Sequence, residues 1–199
     1  NGMERSFANV VLMWFIVPFG TAAVAAHPLV QRIDSFLHMP VMGLGQASGI
    51  LAGQNLGANQ PERAEKTGWQ AAILVTLGML IGVVVVWFWA EHLVGVFNKE
   101  PALVEIASHF MRIQIVSYLV FGFVIVLMNC INGVGDTIVT MLVTLATMWG
   151  MQVPLAYLLP KYTGLGVYGV RWAIVSAMVA RAIIFTGYFK SGRWKRKQV

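Results

Sequence analysis

Apolar residues run along this chain in blocks much longer than one turn of a surface helix. Charge-free stretches cover 6–26, 35–61, 67–90, 113–135 and 137–160, and a sixth, 172–189, is interrupted only by Arg181. Crossing the hydrocarbon of a bilayer takes about 20 residues of helix, because each residue rises ~1.5 Å and every peptide group must be bonded internally. The pattern therefore predicts an all-α, polytopic membrane bundle of about six spans. Between the blocks stand breaker and cap residues: Gly20-Thr21, Gly57 to Glu62, Asn98 to Pro101, Gly133 to Asp136 and Lys161 to Gly164. Pro61 and Pro101 suit a first helical turn, where a missing N–H costs little, and the adjacent glutamates suit the positive helix end. Gly20 and Gly164 suit chain reversals.

Six passes bring both chain ends to one side. Arg5, Arg63, Lys66, Lys190, Arg193, Lys195, Arg196 and Lys197 then share that side, against Lys99 and Lys161 on the other. The positive-inside rule makes the richer side cytoplasmic. The predicted organisation is a six-helix transmembrane unit over 1–190 and a basic cytoplasmic tail over 191–199. Trp69, Trp87, Trp89, Tyr157, Tyr162, Trp172 and Trp194 fall near span ends, as an interfacial aromatic belt requires.

Composition narrows the picture. Only 11% of residues are charged and 58% are hydrophobic, against roughly 25% charged in a soluble domain. The net charge of +6 comes largely from the tail, which suits anionic lipid headgroups; nothing resembles a nucleic-acid surface. The single cysteine, Cys130, excludes an intrachain disulfide and a thiol-rich metal site. The first residues lack the pattern of a secretory signal, and an asparagine at position 1 points to a start inside a longer protein. Metalloprotease, nucleophile-elbow, P-loop and dinucleotide motifs are absent, so neither catalysis, a cofactor nor a metal is expected.

His27, Gln31, Asp34 and His38 are spaced four, three and four apart and share one helix face. Gly45, Gly49, Gly53 and Gly57 continue that stripe at intervals of four, a small-residue seam where another helix can approach closely. Arg32 and Asp34 lie about 200° apart around the helix and are not partners within it. Two settings suit them: the outer interface, or a water-filled cavity. Gln114, Tyr118, Gly122, Asn129 and Asn132 form a second polar stripe, and Thr137, Thr140, Thr144 and Thr147 a third, open to helix-to-helix bonding or to bonding back onto their own helix. Arg181 lies inside the last apolar run and either snorkels or meets an interior partner. Pro18, Pro40 and Pro154 mark kinks within spans.

The run from Met39 to Ser48 (MPVMGLGQAS), continued by Gly53 to Ala64 (GQNLGANQPERA), resembles the multidrug and toxic compound extrusion (MATE) transporters. Ala25-Ala26-His27, Phe97 to Pro101, Asn132 to Thr137, Pro154 to Tyr157 and the basic ending Gly192 to Lys195 look like further landmarks of that family, so the resemblance covers nearly the whole chain. It implies a cation-coupled exporter built from two related six-helix lobes, of which this chain looks like the second, with the N-terminal lobe as its missing partner. The implied setting is an inner membrane, the implied coupling ion Na⁺ or H⁺, and the implied substrate a cationic or amphipathic small molecule. Family coupling sites use membrane-embedded carboxylates; Glu4 is the only acid near one such position, and the fourth span has none between Glu105 and Asp136. On this reading Gln31, Asp34, Gln46 and Asn129 line a substrate cavity. Two other readings remain open: a lipid-linked flippase, whose cationic cavity only Arg32, Arg112, Arg171 and Arg181 could supply, and a non-transporting membrane scaffold.

Overall fold

The computed structural model describes residues 2–196, with side chains described from Phe7 to Lys195 apart from Ala8. All regular structure among them is helical. Helix α1 (Gly2–Ile16) tightens into a 3-10 turn (Val17–Phe19), and α2 spans Thr21–Gly57. Helix α3 is Pro61–Gly95; α4 (Pro101–Ile113) and α5 (Ile115–Gly133) form one rod broken at Gln114. A third composite rod joins α6 (Thr137–Thr147), a π-helical turn (Met148–Gln152) and α7 (Val153–Tyr162), before α8 (Tyr168–Lys190) and a final 3-10 turn, Arg193–Arg196. These are six antiparallel rods, a polytopic membrane bundle.

One boundary differs from the expected spans. The charge-free run over 6–26 is not one helix: the chain turns at Gly20 (φ 96°), a left-handed conformation that glycine adopts without a Cβ penalty. A reversal made by one apolar-flanked glycine leaves no polar loop, so the apolar run passes through it undivided. Helix α2 then continues for 37 residues, about 55 Å at 1.5 Å per residue. Arg32 and Asp34 lie inside it, on one helix as their spacing implies. Pro28 and Pro40 also lie within α2, both at exposed positions.

Pro61–Gly95, Ile115–Gly133, the composite Thr137–Tyr162 and Tyr168–Lys190 are long and apolar enough to cross a bilayer, and Asn9–Phe19 is a shorter apolar helix. From Ala71 to Ala90 helix α3 is apolar on every side except Thr76. Ala72, Val75, Met79, Val86 and Ala90 are buried in the bundle, while Ile73, Leu74, Leu77, Ile81, Val84 and Phe88 point outward. An outward apolar face of that size is stable against lipid, not water.

Helices α2 and α5 meet through glycine. A Cβ added at Gly49 would stand 2.5 Å from the Asn129 carbonyl oxygen, and one at Gly53 would stand 2.6 Å from that of Gly133. A Cβ at Gly133 would in turn strike the Gly49 carbonyl oxygen. Gly45 faces the Asn129 amide and Ile125, whereas Gly57, the last residue of α2, has nothing within 4 Å. Without a hydrophobic drive between lipid-bathed helices, this close approach and its dispersion energy are what hold the seam.

Where α8 ends, the chain folds back. Trp194 is fully buried, stacks on Phe189 at 4.7 Å and donates its indole N–H to the Phe189 carbonyl (2.8 Å). Lys195 pairs with Glu65 of α3, and the Tyr188 hydroxyl donates to the Asp136 carboxylate in the α5–α6 connection.

Candidate functional site

Two polar features adjoin in the middle of the bundle: an open cleft and a buried node behind it. The cleft, of about 470 Å³, is walled by Asn9 of α1, by Ser35, His38, Met39 and Met42 of α2, and by Phe121, Val124, Ile125 and Met128 of α5. Thr144, Met148, Gln152, Met178 and Arg181 complete it from the remaining rods. Five of these residues are methionine, whose unbranched, polarizable side chains repack around ligands of different shape. The His38 ring stacks on Phe121 (3.8 Å between centroids, 21°) and meets Tyr118 edge-on at 5.9 Å.

Local sequence explains one wall. Pro154 has no N–H to offer the Gly150 carbonyl, and the helix just before it widens into the π turn. The widened turn carries Met148 and Gln152 into the cleft. At its start Thr147 bonds back to the Val143 carbonyl (2.8 Å) and accepts a hydrogen bond from Arg181 Nε (3.0 Å). The expected stripe of threonines thus divides: Thr144 faces the cleft, Thr147 holds Arg181, and Thr140 donates to Asn132 (2.5 Å).

The node lies among α2, α4, α5 and α8. Tyr118 donates to Asp34 Oδ1 at 2.5 Å, and both are buried. Arg171, 1% exposed, donates to the Gln114 side-chain oxygen (2.9 Å) and to the His27 carbonyl (3.5 Å), with its guanidinium 4.4 Å from the centre of the Phe110 ring. The buried Asp34 carboxylate lies near enough for its charge to act on that of Arg171, without a hydrogen bond or ion pair between the two among the described residues. A charge buried this deeply needs such a neighbour, because apolar surroundings strongly penalise a lone ion. The Arg171–Gln114 bond falls at the break between α4 and α5.

A chain of amides links node to cleft. His27 Nε2 and Gln31 Nε2 are 3.2 Å apart, and Gln31 Nε2 donates to Asn9 Oδ1 (3.1 Å) in the cleft wall. Of the four residues expected to touch substrate, Asp34 belongs to the node and Gln31 to this link. Asn129 bonds to the Ile125 carbonyl of its own helix (2.8 Å), and Gln46 is exposed. None of the four is in the described lining of the cleft. The side chain of Glu4 lies outside the described residues. Arg171 was grouped in sequence only with other candidate arginines; it lies one turn into α8, where an arginine looks interfacial. No cluster of three or more His, Cys, Asp or Glu suited to a metal ion occurs among the described residues.

Comparison with known proteins agrees with this architecture. The MatE family profile matches residues 5–158. The chain is 26% identical over 202 residues to a probable multidrug resistance protein, YoeA, of Bacillus subtilis, covering 100% of this chain and 43% of the relative. It is 26% identical over 200 residues to a probable multidrug resistance protein NorM of Thermotoga maritima, covering 97% and 40%. Among solved structures, the inward-facing conformation of a multidrug resistance MATE family transporter superposes with a TM-score of 0.86 at 22% identity, over 94% of this chain and 43% of that one. The outward-facing conformation of such a transporter gives 0.85 at 20% identity, over 94% and 42%. The chain therefore spans less than half the length of the relatives it matches.

Proposed function

Because the chain belongs to the MatE family of transporters, we propose that it is the second lobe of a drug exporter of the cell membrane, which expels amphipathic and cationic small molecules in exchange for Na⁺ or H⁺. The observation that carries this reading is the cleft: an open, methionine-rich wall with one stacked His38–Phe121 pair and a few hydrogen-bonding groups. Such a surface binds by dispersion and shape, tolerates many ligands, and suits a site shared with a facing lobe. The N-terminal lobe is that partner, and alternating access rocks one lobe against the other around the midplane. Similar superposition on an inward-facing and an outward-facing relative supports a lobe that keeps its internal packing as it rocks. The lysine and arginine bias supports cytoplasmic ends, with the basic tail at the lipid headgroups.

The flippase reading is less well supported. A pyrophosphate headgroup needs several cations in the cavity, but Arg32 is exposed, Arg112 pairs with Glu91 (3.0 Å), and Arg171 is sealed in the node. The test is export of a fluorescent lipophilic cation from vesicles containing the complete transporter. Phe121→Ala combined with Met128→Ala is expected to weaken dye binding by about tenfold or more, from lost contact area of two large side chains, while expression is kept. Unchanged binding in that variant would remove the cleft as the substrate surface. Vesicles with this lobe alone are expected to show no uncoupler-sensitive export.

A further inference from the structure

At the end of the bundle away from the basic tail, helices α1 and α7 leave a groove between them. Trp14, Phe15 and Phe19 form one wall and Tyr157, Pro160 and Lys161 the other, around a space of about 300 Å³. Trp14 is 78% exposed, and the Phe15 and Tyr157 rings meet across the groove at 5.8 Å. Lys161 is exposed yet held: its Nζ donates to the Tyr157 hydroxyl (3.0 Å) and lies 5.1 Å from the centre of the Tyr157 ring and 5.7 Å from that of Tyr162. An ammonium group gains from an aromatic face, but a neutral ring does not cancel its charge. Neighbouring chain offers no carboxylate either, since residues 5–33 and 137–199 contain no Asp or Glu. The acids of this end, Glu91, Glu100 and Glu105, stand on α3, α4 and their connection, and the ion pairs among the described residues join Arg112 to Glu91 and Lys195 to Glu65.

We propose that this groove binds an anionic phospholipid, with the headgroup phosphate on Lys161 and Tyr157 and one acyl chain laid between Trp14, Phe15, Phe19 and Pro160. The phosphate meets the ammonium group as a charge-assisted hydrogen bond. Tyr157, whose oxygen accepts from Lys161, has its own O–H to donate to a second phosphate oxygen. Tryptophan and tyrosine settle at headgroup depth in membrane proteins, which puts lysine and phosphate at one level. A soluble anion would leave the aromatic walls empty; a lipid fills both parts of the groove. The acyl chain gains little by leaving its neighbours, because lipid tails are as apolar as the groove itself. Selection therefore rests on the headgroup, and one lysine at an anionic surface is worth about fivefold in lipid preference.

The groove and the cleft share their two walls. Helix α1 carries Asn9 into the cleft and Trp14 and Phe15 into the groove. The rod of α6, the π turn and α7 carries Thr144, Met148 and Gln152 into the cleft and Tyr157 and Pro160 into the groove. A lipid seated between them bridges α1 to α7, and so braces two walls of the cleft from one end. The site goes beyond the exporter reading and does not depend on what the cleft carries.

The test is photo-crosslinking of the complete transporter in nanodiscs of equal parts phosphatidylglycerol and phosphatidylcholine. An acyl diazirine is carried on one lipid or on the other, and labelled peptides are located by mass spectrometry. The expected result is labelling of residues 14–19 and 156–161 about fivefold greater from phosphatidylglycerol. Lys161→Gln should bring the two lipids level and Lys161→Arg should keep the preference. Lys99→Gln, which removes a charge elsewhere at the same end, should leave it unchanged. Equal labelling by both lipids in the unaltered protein, or a preference that survives Lys161→Gln, overturns the proposal. So does the absence of label from both segments with either lipid, which would give the groove to a protein occupant such as the other lobe. Should Lys161→Gln not fold, Tyr157→Phe decides: it removes the hydroxyl that holds the lysine and donates to phosphate, so the preference should at least halve, and an undiminished preference overturns the site.

Discussion

Replacing Gly49 by alanine puts a methyl group where the structure has the backbone of another helix. The added Cβ would stand 2.5 Å from the Asn129 carbonyl oxygen and 3.0 Å from its carbon, whereas a carbon rests against such an oxygen at about 3.3–3.6 Å. No rotamer change relieves a clash with backbone, so α2 and α5 must part by roughly 1 Å. A gap of that size forfeits about a quarter to a half of the attraction at each contact it opens. Overpacking costs about 1–3 kcal/mol, and Gly49 belongs at the upper end because its own carbonyl is also pressed by Gly133. Alanine returns about 0.5–1 kcal/mol of helix propensity, leaving a net loss of about 2 kcal/mol. For a unit of this size that lowers the melting temperature by about 4–8 °C. Gly43→Ala is the control, since nothing lies within 4 Å of a Cβ there. Heating the detergent-purified protein and following the folded fraction by gel filtration separates the two. Equal melting temperatures for Gly49→Ala and Gly43→Ala would refute the argument that backbone contact holds this seam.

Arg171→Leu is expected to cost about 1–3 kcal/mol, because it leaves the Gln114 side-chain oxygen and the His27 carbonyl buried without their donor. Part of that should return in Arg171→Leu with Gln114→Leu, as a double-mutant cycle of thermal stability would show. Trp194→Ala should cost about 3–5 kcal/mol through the cavity it leaves against Phe189, but Lys195→Ala less than about 1 kcal/mol, since its partly exposed pair with Glu65 is solvent-screened. Comparable melting temperatures for those last two variants would argue against the packed ending.

Apolar run lengths carry most of the fold, because lipid imposes one rule on every span. Run length alone does not separate α1 from α2; Gly20, read as a chain reversal, marks that boundary. Spacing by fours places Gly45, Gly49, Gly53 and Gly57 on one side of α2 without saying where α5 stops running beside it. Spacing likewise puts Gln31 and Asp34 on a common face, but which of them looks into the cleft depends on helices far away in sequence. The partner of Asp34 is 84 residues distant. Arg171 is harder still to read: its position near the start of α8 suits a headgroup, and only the bend at Gln114 and the ring of Phe110 turn it into an interior cation. The methionines of the cleft come from three helices and the π turn, so no local pattern announces them.

The buried indole at the end of α8 has a practical consequence for watching the lobe move. Because Trp194 is wedged against Phe189 and its neighbour is tied to α3, residues 191–195, just after α8, form a handle fixed to the bundle. Arg193 is exposed on that handle, while Cys130, the single cysteine of the chain, is buried. A thiol-reactive spin label on Arg193→Cys would therefore attach to a rigid point, with little competing reaction at Cys130. In the proposed two-lobe transporter, its distance to a second label on the other lobe would report the proposed rocking as a change in separation.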